Sequence, residues 1–100
     1  MNLNQNSFNS PYNTISKRYA VILSSPEQIQ ISIDLLRVDI RELTKFRYTQ
    51  ESPCFLQAKL KALELIISVF ELLPVLNDYT WAGVTNELTN LREDIKGTLL

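Results

Sequence analysis

The chain has no histidine and only one cysteine, Cys54, among its 100 residues. Without histidine, no imidazole can act as a general base, activate a serine or cysteine nucleophile, or bind a metal ion. A lone cysteine can form neither a disulfide within the chain nor a structural zinc site. We therefore expect a protein that is not an enzyme and that holds neither a metal nor a cofactor.

Glycine is almost as scarce, with only Gly83 and Gly97. Glycine-rich phosphate loops, dinucleotide fingerprints and nucleophile elbows each need closely spaced glycines, so these motifs are absent. The sequence also lacks an apolar run long enough to cross a bilayer, and its start lacks the features of a secretory signal. These absences predict a cytoplasmic protein without a membrane partner.

The charges nearly cancel, because 10 lysines and arginines face 11 aspartates and glutamates. A net charge of −1 gives no general attraction to nucleic acid or to an anionic membrane. Apolar residues make up 45 % of the chain, which is enough to build the core of a single domain of this length.

The first of three predicted helices spans about residues 26–48. Ser25 can cap it and Pro26 suits its first position. Its apolar stripe has the 4-3-4-3 spacing of a helical face and consists of Ile29, Ile33, Leu36, Ile40 and Leu43. A competing pattern alternates apolar with polar residues at Ile29, Ile31, Ile33 and Leu35. A hairpin of this segment with residues 19–23 is therefore the alternative.

Two further helices are predicted over about residues 53–73 and 79–96. Ser52 and Pro53 start the first of them and Pro74 ends it. This helix is apolar on two faces, which is typical of a central helix flanked by two others. The last helix has one apolar stripe, formed by Trp81, Val84, Leu88, Leu91 and Ile95, and Gly97 is its expected end.

Outside these helices, residues 1–16 are rich in asparagine and serine and are expected to form a flexible arm. Residues 17–100 form the single helical domain, in which residues 19–23 are either a short strand or an extra turn of helix. The expected fold is all-α: a three-helix up-down bundle around the helix 53–73, which dimerises into a larger helical bundle.

A second apolar face on the first predicted helix motivates the functional hypothesis. It is formed by Ile31, Leu35, Val38 and Phe46, which lie away from the main stripe. Residues 19–23 could fold back and cover this face. We favour a second molecule, either another copy of the chain or another helical protein. The hypothesis is a non-catalytic interaction module: an adaptor, regulatory or assembly subunit.

A basic stripe on the same helix supports the alternative function, a small nucleic-acid-associated subunit. Arg37, Arg41 and Lys45 recur at every fourth residue, as phosphate-binding cations can. Asp34 shares their face at spacings that favour intrahelical pairing. A solvated surface is therefore the better interpretation, and nucleic acid is not the expected partner.

Cys54 follows Pro53 at the start of the second predicted helix. The helix dipole can activate a thiol in this position. A lone cysteine beside Phe55 and Leu56 is more commonly a small buried apolar residue, which is the interpretation we favour.

Overall fold

The computed structural model describes residues 11–25, 27, 30–45, 52–73 and 79–100, with residues 79 and 80 described by their backbone alone. This part of the chain forms four helices and no strand. They are α1 (Pro11–Leu23), α2 (Ile33–Thr44), α3 (Pro53–Leu72) and α4 (Tyr79–Leu99). The all-helical fold is confirmed, but four helices replace the three that were expected.

Helix α1 was not expected from the sequence. The flexible arm was expected to extend to residue 16, and this was wrong from Pro11 onward, where the helix begins. Residues 1–10 lie outside the described part of the chain. Tyr12, Ile15 and Tyr19 are buried, and their 3-4 spacing places them on one helical face. Because these three side chains enter the core, residues 19–23 continue a helix instead of forming a strand.

Helix α2 begins later than predicted. Its N-cap is Ser32, whose Oγ accepts a hydrogen bond from the backbone N–H of Leu35, whereas Ser25 was expected to cap it. Residues 30–32 are not helical. The helix ends at Thr44 rather than near residue 48, and residues 46–48 lie outside the described part.

The start of α3 is confirmed, because Ser52 caps it and Pro53 occupies its first turn. The expected end of the last helix was wrong. Helix α4 continues through Gly97 to Leu99, and Gly97 has no positive φ angle. A glycine ends a helix when it adopts the left-handed conformation, and Gly97 does not adopt it.

Helix α3 packs against both α1 and α4, and α2 contacts α1. The apolar faces expected of α3 and α4 do form the core. Their buried members are Ala62, Leu63, Ile66, Ile67, Val69, Phe70, Trp81, Leu88, Leu91 and Ile95. Two helices cover α3, and this explains why it is apolar on two sides. None of the four described helices has the length and apolar character needed to cross a membrane.

Candidate functional site

The outward face of α2 carries exposed apolar side chains. Val38, in the middle of the helix, is 57 % exposed, and Leu35, one turn earlier, is 38 % exposed. These are two of the four residues expected at a partner interface. Ile31 is half-buried and packs against the core, and Phe46 lies outside the described residues. The structure therefore narrows the candidate face to Leu35 and Val38.

The opposite face of α2 is buried and includes a charged residue. Leu36 and Leu43 are fully buried, and Asp39 lies between them with only 4 % of its surface exposed. The three positions are separated by three and four residues, so they share one face of the helix. The apolar stripe in the sequence predicted the two leucines on this face but not the aspartate. Its position between them was the available signal.

Two residues of α1 satisfy the buried carboxylate of Asp39. Arg18 Nη1 donates hydrogen bonds to Oδ1 at 2.7 Å and to Oδ2 at 2.6 Å. The hydroxyl of Tyr19 donates to Oδ2 at 2.6 Å. Buried charges need such partners, because the cost of leaving one without them amounts to several kcal/mol. The network therefore joins α2 to α1 in a defined orientation.

The surroundings of Tyr19 raise the pKa of its phenol above the ordinary value of 10.0. Burial is the main cause, since it disfavours the phenolate, and the hydrogen bond to Asp39 acts in the same direction. The hydrogen bond to Asp39 also raises the pKa of Arg18. Both residues consequently stay in their donor forms, which is what a buried carboxylate requires.

The basic residues of α2 do not form a uniform stripe. The guanidinium of Arg37 lies over the ring of Trp81, 5.0 Å from the ring centroid, and the Trp81 ring itself packs edge-on against Phe70. Lys45 Nζ forms a salt bridge with Glu42 at 2.9 Å. Arg41 is exposed. Contacts within the chain therefore engage two of the three cations in the nucleic-acid hypothesis.

Two residues of α3 differ from what their sequence context suggests. Lys59 is 1 % exposed, and its ammonium lies 5.5 Å from the centroid of the Tyr12 ring, which brings a cation to the α1–α3 contact. Cys54 is exposed, so its expected burial was wrong. Its position in the first turn of α3 explains this, because the side chain lies at the edge of the helix packing.

Within the described ranges, no group of three or more histidine, cysteine, aspartate or glutamate side chains could hold a metal ion. The geometry instead displays apolar side chains of α2, Leu35 and Val38, that the other three described helices leave exposed. Comparison of the chain with protein-family models, curated proteins and solved structures gives no match.

Proposed function

We propose that this protein is a non-catalytic interaction module that forms a homodimer through the outward face of α2. In this role it serves as an adaptor, regulatory or assembly subunit. The observation that carries the proposal is the exposure of Val38 at the centre of the helix, beside Leu35. Full burial of such a side chain is favourable by about 1.5–3 kcal/mol, and an interface with a second molecule would provide it.

The charges around Val38 favour a second copy of the chain as the partner. Asp34 lies in the first turn of α2 and Arg41 in the last, and both share the outward face with Val38. If two α2 helices pack antiparallel about a two-fold axis, Asp34 of each copy approaches Arg41 of the other. Such a face is self-complementary, as a symmetric dimer requires. The antiparallel helix dipoles are also favourably arranged.

The size of the face bears on the strength of the dimer. Helix α2 has 12 residues and is therefore about 18 Å long. Stable interfaces bury about 1,200 Å² or more in total, so α2 needs help from neighbouring surface. We expect a dimer that dissociates on dilution, not a permanent one.

Nucleic-acid binding is the weaker of the two functions. Phosphate contacts need cations that are available to the ligand, and Arg37 and Lys45 already have partners within the chain. Nothing in the described geometry favours this function over the dimer. If the protein binds nucleic acid, it should be retained on a polyanion column at low salt, and added salt should release it.

The dimer is tested by sedimentation velocity over a range of protein concentrations. We expect the sedimentation coefficient of the natural protein to rise with concentration. Leu35→Glu and Val38→Glu should hold it at the monomer value, since each places a charge in the apolar contact. Leu72→Glu is the matched control, because Leu72 is an exposed leucine of α3. A natural protein that stays monomeric at every concentration would contradict the proposal.

Charge reversal separates self-association from association with a different protein. Asp34→Arg and Arg41→Asp should each weaken the dimer, because each places like charges opposite each other. The double variant should recover dimerisation, since the pair is restored in the reversed sense in both copies. Loss of association in the double variant would contradict the antiparallel arrangement.

A further inference from the structure

A cleft of about 480 Å³ lies between α1 and α3, away from the outward face of α2. Clefts that bind small molecules have volumes of about 300–1,000 Å³. One wall is formed by residues of α1 that recur at helical spacing, including Ser16, Lys17 and Ala20. The other wall comes from the first half of α3, including Phe55, Ala58 and Lys61. The cleft is large enough for a ligand of several carbon atoms.

The charged residues of this cleft all have one sign. Lys17 and Lys61 line it from opposite helices, and no aspartate or glutamate is among its described lining residues. Neither lysine forms a salt bridge within the described part of the chain. The first turn of α3 also borders the cleft, where the helix dipole favours negative charge. The electrostatics therefore suit an anion.

A buried hydroxyl provides an independent indication of a ligand. Ser16 is 5 % exposed, and its Oγ is a buried side-chain polar atom with no hydrogen-bond partner in the described residues. Buried polar groups nearly always have partners, so this exception needs an explanation. Ser16 precedes Lys17 directly and lines the same cleft. Its Oγ has almost no accessible surface, so an acceptor atom would satisfy this hydroxyl only by displacing the side chains that cover it.

We propose that the α1–α3 cleft binds a small organic anion that has a short apolar body. Lys17 and Lys61 pair with the anionic group, and Ser16 donates a hydrogen bond to it. Ala20, Phe55 and Ala58 contact the apolar body. This site is separate from the proposed dimer interface, and each can be disproved without the other.

Octanoate is the probe for this site, and the exposed thiol of Cys54 provides the readout. Cys54 lines the cleft and is the only cysteine of the chain. A bound ligand should therefore slow its alkylation by iodoacetamide, a neutral reagent, and mass spectrometry follows the rate. We expect saturable protection by octanoate. Octan-1-ol and octylamine, which lack the negative charge, should protect much more weakly. Acetate, which lacks the apolar body, should also protect much more weakly.

Substitutions test which residues of the cleft bind octanoate. Lys17→Gln combined with Lys61→Gln should weaken octanoate binding about 5- to 30-fold, because it removes two partly solvated ion pairs. Lys96→Gln is the control, since Lys96 is an exposed lysine of α4 outside the cleft lining. Ser16→Ala should weaken octanoate binding without lowering the stability of the ligand-free protein, because the hydroxyl has no partner there.

Any of these results would overturn the proposal: no saturable protection by octanoate, equal protection by octylamine, or unchanged affinity in the double lysine variant. Circular dichroism confirms that each variant is folded. Amide shifts in an NMR titration of the natural protein should be confined to residues 13–20 and 54–61. Shifts centred on α2 or α4 would also contradict the site.

Discussion

A single nitrogen of Arg18, Nη1, donates to both carboxylate oxygens of Asp39, at 2.7 Å and 2.6 Å. The Asp39 side chain is 6 % exposed and that of Arg18 is 30 % exposed, so the ion pair leads from the α1–α2 contact to solvent. Turning Asp39 away from α1 would break this pair. The contact therefore favours the orientation of α2 in which Leu35 and Val38 face outward.

Substitution of Arg18 should destabilise the fold more than an ordinary surface change. Arg18→Gln leaves the buried carboxylate of Asp39 without its cation, and we expect a loss of about 2–4 kcal/mol in the free energy of unfolding. Urea unfolding followed by circular dichroism measures it. Lys17→Gln is the matched control, because Lys17 is the exposed neighbour on α1 and should change stability by less than about 0.5 kcal/mol. Equal effects of the two substitutions would show that the ion pair contributes little.

The stability of the protein should decrease at high pH through Tyr19. Its pKa is raised in the folded state, so the unfolded chain loses the phenolic proton first, from about pH 10 upward. The contribution of Tyr19 to the free energy of unfolding is complete below about pH 10 and is lost as pH rises through the folded-state pKa. In that range the free energy of unfolding falls by at most about 1.4 kcal/mol per pH unit.

Tyr19→Phe tests this origin. The substitution removes a buried hydrogen bond to a carboxylate and should cost about 1.5–3 kcal/mol at neutral pH. The difference in stability from the natural protein should then narrow between pH 10 and pH 11.5, measured by urea unfolding at each pH. A constant difference would mean that Tyr19 ionises equally in both states.

The contact of Arg37 with Trp81 should contribute modestly to stability and visibly to fluorescence. Arg37→Gln removes the cation over the ring and should cost about 0.5–1 kcal/mol. It should also shift the emission of Trp81, the only tryptophan of the chain. Arg41→Gln, one turn further along α2, serves as the control and should leave the emission unchanged. Identical spectra for both variants would contradict the stacked geometry.

Gly83 offers a stabilising substitution. It lies inside α4 with no positive φ angle, and a methyl group at its Cα would have no described atom within 4 Å apart from its chain neighbours and the backbone of its own helix. Alanine favours the helix over glycine by about 0.5–1 kcal/mol, so Gly83→Ala should raise the melting temperature. Gly97→Ala should have a smaller effect, because Gly97 lies in the last turn of the helix, where helices fray. A lower melting temperature for Gly83→Ala would contradict the open surroundings of this position.

Local signals predicted α3 well, and they predicted α4 except for its end. Ser52 and Pro53 determine the start of α3 through the cap and the first turn, and neither depends on the rest of the fold. The same kind of signal at Ser25 and Pro26 predicted a start of α2 that was wrong, because Ser32 caps this helix. When two caps compete, the packing of the following turns decides between them. The sequence contains both caps and does not rank them.

The first half of helix α1 escaped prediction because its buried apolar side chains, Tyr12 and Ile15, lie among polar residues. Tyr12, Ile15 and Tyr19 are enough to hold it against the core, yet their neighbours have the composition of a flexible arm. The sequence also could not predict the buried hydroxyl of Ser16 or the α1–α3 cleft, since both arise where two helices pack together.

By itself, the sequence determined that the fold is helical, that α3 needs cover on two sides, and that histidine-dependent chemistry is absent. These properties follow from composition and from spacing along the chain. The tertiary structure alone decided which face of α2 points inward. That outcome depends on Arg18 and Tyr19, about twenty residues away, which make the burial of Asp39 favourable and leave Leu35 and Val38 at the surface. Burial is a property of neighbours in space, and spacing along one helix does not specify which neighbour will be there.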